Sequence, residues 1–297
     1  MGGIGDKGVL FEVKQQLLKL SFRVTVLTAA LLVSTAALAQ VPTKHLELGE
    51  QLTYEAEFSR LLLKNIDVAD FHFSASKVPL TNPTETSAPE ATKNGHALQF
   101  TGEIKSKGFF SRLFNLNFLE RVTSTVEPGS FVIRHTKKFD QQGKRVRTSE
   151  TIYDRNTGKL VWTEHDPKDP SKEPQIASAE FNADVQDVLS AIYFLRTQPL
   201  AVGKTFNVSI SDSGRVYQVP VRVTEKKRMK TVLGRVETLK VDVELFGKQR
   251  LVESDGEFFI WFTADRLHVP VKGRIKTQYG TFDITLKKAV PSRPRAA

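Results

Sequence analysis

Between Leu52 and Lys287, apolar residues return at every second position in one segment after another, and this alternation restricts the chain to sheets with one dry face. Leu52, Tyr54, Ala56 and Phe58 share a face opposite Thr53, Glu55 and Glu57. Ala69, Phe71, Phe73 and Ala75 repeat the pattern within 66–77. Turn signals at Glu127-Pro128-Gly129, Asp140-Gln141-Gln142-Gly143 and Asp154-Arg155-Asn156-Thr157-Gly158 divide 122–164 into an antiparallel meander. Strand patterns resume over 205–210, 215–224, 229–232, 235–246, 257–263, 269–278 and 281–287. About ten or more strands cannot stay in one flat sheet and must curl, close or split. The expected fold class is mostly β: a strongly curved antiparallel sheet, or an open or partly closed β-barrel of meander type.

One segment breaks the period. Across 184–198 the apolar residues Val185, Val188, Leu189, Ile192 and Tyr193 recur at helical spacing, with Leu195 and Arg196 nearer the edge. Asp184 or Asp187 can cap the start, and Pro199 stops the helix. A single amphipathic helix among strands has an obvious use: it caps core that a curled sheet leaves uncovered.

The first 39 residues stand apart. Val24 to Ala39 is a 16-residue stretch without charge, preceded by Lys14, Lys19 and Arg23 and ending in Ala37-Leu38-Ala39. As a helix it reaches about 24 Å, short of a hydrocarbon core of about 30 Å. It reads as a signal peptide cleaved after Ala39, with retention as an anchor the alternative. The expected location is periplasmic or otherwise exported, with no membrane span after removal of the leader. Residues 40–289 form one β-rich domain. Within it, 77–95 is expected to be a mobile loop rich in Pro, Thr and Ser, and beyond it 290–297 is expected to be a disordered tail. There is no cysteine, so neither disulfides nor a lipid-modified cysteine can occur.

The arrangement of residues resembles a known family. The carrying pieces are Asp187-x-Leu189-Ser190-Ala191-x-Tyr193-x-Leu195-Arg196 followed by Pro199-Leu200-x-Val202-Gly203. Gly49-Glu50-x-Leu52-x-Tyr54, Gly108-Phe109-Phe110-Ser111, Gly214-Arg215-x-Tyr217, Thr231-x-x-Gly234 and Phe259-x-Trp261-Phe262-Thr263-x-Asp265 accompany them in order. Together they are similar to the bacterial proteins grouped as domain of unknown function 3108. The family's small turn between the first two strands is here Leu61-Leu62-Leu63-Lys64-Asn65, and Val188 stands where a proline often follows the aspartate. The resemblance implies an exported, β-rich envelope protein, and it brings no catalytic residue with it.

Candidate chemistry is sparse. Val202-Gly203-Lys204-Thr205 lacks the earlier glycine of a phosphate loop, since that position is Gln198, and it follows a helix instead of preceding one. His45, His72, His96, His135, His165 and His268 show no zinc-ligand spacing, so neither a metal nor a cofactor is expected. Glu253, Asp255 and Glu257 could in principle flank a sugar bond. They surround Asp255-Gly256, however, a strong hairpin signal, which makes them turn carboxylates first.

The formal net charge of +10 includes two basic runs, one around Arg134, Lys137, Lys138, Lys144, Arg145 and Arg147, the other at Lys226, Lys227, Arg228 and Lys230. Outside the cytoplasm such runs suit anionic lipid or acidic glycan, and no nucleic acid. The leading expectation is a non-enzymatic envelope protein that binds an amphiphile or an envelope component. Phe71, Phe73, Phe110, Phe114, Tyr193 and Trp261 would line its hollow, and Arg134, Lys138 and Arg147 would meet an anionic head. A docking module for an envelope protein is the alternative, and a carboxylate-dependent glycan hydrolase a weaker one.

Overall fold

A computed structural model describes residues 46, 48–79, 95–107, 117–181 and 184–291 of the 297. The strands are β1 (Gln51–Arg60), β2 (Leu63–Pro79), β3 (His96–Ser106), β4 (Phe118–Val126), β5 (Ile133–Gln142), β6 (Arg145–Asp154), β7 (Lys159–His165) and β8 (Gln175–Glu180). After β9 (Gln186–Asp187) comes a helix, α1 (Val188–Thr197). Then follow β10 (Thr205–Asp212), β11 (Arg215–Thr231), β12 (Gly234–Val243), β13 (Gly256–Thr263), β14 (Pro270–Thr277) and β15 (Gly280–Val290).

All 15 strands belong to one sheet, in the order β8-β7-β6-β5-β4-β3-β2-β1-β15-β14-β13-β12-β11-β10-β9. The first and last strands pair antiparallel at its middle, and the edges are β8 and β9. The chain thus walks outward to one edge, crosses to the other, and walks back. Laid flat, the edges would stand about 67 Å apart at about 4.8 Å per strand. Yet Glu180 and Gln186 bound the crossing, and six residue steps reach at most about 22 Å. The sheet must therefore curl until its edges face each other, without a ladder closing it. Among the described residues, β9 with β10 is the one parallel pair of named strands.

The curl makes two arms, and the helix fills the space between them. Leu189 and Tyr193 join a cluster with Leu98, Phe100, Val126, Phe131, Ile133 and Leu160 of the first arm. Ala191 and Leu195 join another with Val219, Val221, Val241, Ile260 and Phe262 of the second. Phe194 packs against both. At the curl's seam the β10–β11 turn meets β8: Gly214, at φ +78°, lies so close that a Cβ on it would sit 2.4 Å from the Ala177 Cβ.

Several elements differ from their sequence pattern. The helix starts at Val188, four residues later than 184, because Gln186 and Asp187 are drawn into a short strand beside β10. Val188 is 44% exposed, while Ser190, Ala191 and Arg196 are buried. A helix held between two arms is covered on more than one face. The segments 215–224 and 229–232 are one strand, β11, carried past its charged run by a register shift against β12. Edge strand β8, with Ile176 as its only large apolar residue, shows no alternation to read. Lys77–Pro79 is strand and not the start of a loop, and the rest of that loop, residues 80–94, lies outside the described residues. Val290 ends β15 and so is strand and not tail; 292–297 lie outside the described residues. Asp255-Gly256 does not turn a hairpin. Residues 244–255 form a longer connection, and Gly256 opens β13 with the Phe246 ring against it.

Gly214→Ala should destabilise the protein by about 1–3 kcal/mol beyond Gly143→Ala. Both glycines have positive φ, but a Cβ at Gly143 has nothing within 4 Å. Urea unfolding of the two variants checks this, and equal losses would contradict the close approach at the seam.

Candidate functional site

The polar groups that the fold buries gather at the two ends of α1. At its N-terminus the Asp187 carboxylate accepts from the Ser190 backbone N–H at 2.6 Å, and the Ser190 hydroxyl accepts from the Asp187 N–H at 3.0 Å. This closes a reciprocal cap. Oδ2 of Asp187 also accepts from the hydroxyls of Ser124 on β4 and Thr136 on β5, each at 2.6 Å. Tyr153 on β6 and Ser211 on β10 join their hydroxyls at 2.6 Å, and Ser211 donates to the Gln186 carbonyl at 3.3 Å. A buried anion is tolerated only with such partners. For Asp187 they come from the first arm and from the helix itself, and the neighbouring Tyr153–Ser211 contact joins the first arm to the second. No sequence spacing announces it, because its members lie on separate strands.

At the C-terminus of α1, Arg196 is fully buried and forks onto Glu50, with Nη1 on Oε1 and Nη2 3.0 Å from Oε2. Its Nε donates to the Leu267 carbonyl at 3.1 Å. Burial alone would weaken the guanidinium charge, but the facing Glu50 holds it above its ordinary value. Beside the pair, Tyr193 stacks on Phe100 with ring centroids 4.0 Å apart and planes 10° apart. The Tyr193 hydroxyl is buried without a partner among the described residues.

The aromatic residues expected to line a hollow form two adjoining clusters. Phe71 and Phe73 meet edge to face at 6.3 Å, and Phe73 lies 5.5 Å from Tyr54. Phe73 packs on the cluster that holds Tyr193 and on the one that holds Trp261. Trp261 is buried with the Lys227 ammonium 5.4 Å from its ring centroid, and its Nε1 has no acceptor among the described residues. Phe110 and Phe114 lie outside the described residues.

The three expected head-group cations have acidic partners within the chain. Arg134 places Nε and Nη2 at 2.8 and 2.6 Å from Glu127 Oε1. Lys138 lies 3.1 Å from Glu120. Burial pulls its charge down, but Glu120, Asp212 and Asp140 hold it above the ordinary lysine value. Arg147 binds Asp166 and lies 3.7 Å from Glu164.

Glu253, Asp255 and Glu257 are all exposed, and Lys276 lies 2.8 Å from Glu257. A carboxylate group that spacing did not reveal is Glu55, Glu57 and Asp67, brought within 4.8 Å by the β1–β2 pairing. Lys287 binds both glutamates and Lys107 binds Glu55, which accounts for the two glutamates as ion pairs, while Asp67 is exposed with no cation partner among the described residues. On the outer face of β4–β7, Arg121, Lys137, Phe139, Thr148, Glu150 and His165 line an open groove of about 370 Å³. Its charges are partly engaged, Arg121 by Glu103 and Glu150 by His135.

Among the described residues, the most exposed large apolar side chains lie at the β1–β2 turn. Leu61 is 85% and Leu62 98% exposed. A second apolar group, Ile152, Val161 and Ile176, lies on β6–β8 toward the sheet edge.

The family model described as a protein of unknown function, DUF3108, matches residues 81–287. The chain belongs to that family. No curated protein matches it. This DUF3108 chain is also similar to the crystal structure of a beta-barrel-like protein of domain of unknown function DUF1849 from Brucella abortus. Identity is 9%, coverage is 82% of this chain and 98% of the other, and the TM-score is 0.51. At that identity the likeness extends to the fold. A candidate lipoprotein from Parabacteroides distasonis aligns over 82% of this chain and 95% of its own at 7% identity, with a TM-score of 0.29. Among the described residues no helix is long and apolar enough to cross a membrane.

The tyrosines of this DUF3108 protein give its interior a pH signature. Burial raises Tyr54, Tyr153 and Tyr193 above the ordinary phenol value, and raises Tyr217 to about 12. Above about pH 10 the unfolded chain loses phenol protons that the folded chain keeps, so stability falls as pH rises through that window. In an alkaline titration, the phenolate absorbance of these four should appear together with loss of far-UV circular dichroism. Their ionisation at pH 10 in an intact fold would show an interior open to water.

Proposed function

We propose that the protein is a non-catalytic docking module of the cell envelope, exported behind the leader that ends at Ala39, and that it works by surface contact. The observation that carries this reading is the Leu61–Leu62 turn, which holds the most exposed large apolar side chains among the described residues. The same reading draws support from the interior. The inner faces of both arms pack on α1, and the cations expected to hold an amphiphile's head are bound to Glu127, Glu120, Asp166 and Glu164 instead. A carrier holding its ligand in the hollow fits these contacts less well. The buried Asp187 and Arg196 have their hydrogen bonds filled within the chain, as anchors require and general acids or bases do not.

Native mass spectrometry of the protein purified from cells should show the polypeptide mass alone. In intact cells, a photo-crosslinking residue at Leu62 should react with another envelope component far more than one at Gln218, on the exposed face of β11. A lipid adduct that disappears on Tyr193→Ala would restore the carrier, and equal crosslinking at both positions would remove the docking role of the turn.

A further inference from the structure

The β1–β2 turn departs from what folding alone would select. Arg60 pairs with Leu63, leaving a two-residue loop, and such loops favour Asn-Gly or a leading glycine because the backbone turns through positive φ. Leu61 occupies that position at φ 46°. Leu62 follows it, and the two side chains touch water over nearly their whole surface. Neither the backbone conformation nor the exposure is relieved by anything within the described residues.

The turn is held out stiffly. Below it, the Asn65 N–H donates to the Ser59 hydroxyl at 3.0 Å, and that hydroxyl donates to Asn65 Oδ1 at 3.3 Å. Asn65 itself is at φ 53°, in a bulge at the start of β2. The neighbouring strand β15 pairs Thr281 with Ser59, which brings Tyr279 of the β14–β15 turn to the same end of the sheet.

Size and charge identify what meets the leucines. A stable protein interface takes about 800 Å² from each partner, and a convex tip of two side chains falls well short of that. It is large enough to enter the boundary of a bilayer, where apolar side chains leave water while flanking cations stay among head groups. Arg60 and Lys64 flank the tip. Lys64 is exposed with no carboxylate partner among the described residues, and Arg60 Nη1 is shielded with no acceptor there. Glu57, the nearest acid on β1, is already met by Lys287.

We propose that Leu61 and Leu62 insert into the head-group boundary of an anionic phospholipid surface, with Arg60 and Lys64 at head-group level. The proposal rests on the docking reading and names the surface that is docked. The hairpin then presents one end of the curled sheet to the membrane, by a contact weak enough to be reversible.

Flotation with vesicles tests it, using protein purified from cells. Wild type should float with phosphatidylcholine vesicles containing phosphatidylglycerol, and at least tenfold less with phosphatidylcholine alone. The double variant Leu61→Asn, Leu62→Gly installs the preferred turn and should fold at least as well, with an equal or higher Tm, yet lose at least tenfold in vesicle affinity. Arg60→Gln with Lys64→Gln should remove the preference for the anionic lipid. Unchanged flotation of the Leu61→Asn, Leu62→Gly variant, or equal flotation of wild type with both vesicles, overturns the proposal. If wild type floats with neither while the crosslinker at Leu62 still reacts with an envelope component in cells, the lipid assignment falls and the docking reading stands. If neither occurs, both fall.

Discussion

The crossing from β8 to β9 constrains everything else in this molecule. A 15-stranded sheet with its first and last strands paired at its centre must carry the chain from one far edge to the other, and here six residue steps do so. Such a crossing can exist only if the sheet is curled, and a curled sheet can hold only if something stands between its arms. The helix that follows the crossing supplies this. Its first turn is fixed by an aspartate that accepts hydroxyl protons from β4 and β5, and its last by an arginine bound to Glu50 ahead of β1. Packing and polar anchoring therefore depend on each other. The apolar clusters exclude water from Asp187 and Arg196, and these two fix the orientation in which the helix packs.

Buried charge of this kind is weak evidence for raw stability and better evidence for a specified arrangement. Removing one member of the Arg196–Glu50 pair would strand the other in a dry interior. The same helix packed one turn out of place would leave Asp187 without its hydroxyl donors. Asp187 and Arg196 are thus engaged in holding the curl, away from the outer surface. There the features of note are the leucine turn between β1 and β2, the apolar group on β6–β8 and the groove beside Phe139.

Much of this was legible in the sequence. Period-two alternation in 51–60 and 66–77 marked β1 and β2, and turn chemistry placed the breaks between β4 and β7. The helix was visible because 188–197 is the one segment with a 3.6-residue period, bounded by Asp187 and Pro199. Edge strand β8 was not visible, since an edge needs little burial and Gln175–Glu180 carries one large apolar residue. Asp255-Gly256 misled because the dipeptide is compatible with a hairpin but does not require one; the Phe246 ring against Gly256 explains that glycine differently. The leucine turn stood out in the sequence only as a departure from the family's small turn, and its exposure is a finding of the structure. The partners of Arg134, Lys138 and Arg147 did not stand out, because Glu127, Glu120 and Asp166 are matched to them by strand pairing and loop return.

By itself, the order of residues determined the fold class, the place of the one helix among the described residues to within about a turn, and the family to which the chain belongs, while it left both Asp184 and Asp187 open as the cap. These are local properties: alternation, helical spacing and capping act over a few residues and leave their mark in the pattern. Only the tertiary structure decided that β1 pairs with β15, that both arms share one helix, and that Ser124, Thr136, Tyr153 and Ser211 collect around Asp187. Such contacts join residues 50 or more positions apart. Their energies depend on which surfaces the curl brings face to face, and no short stretch of sequence contains that information.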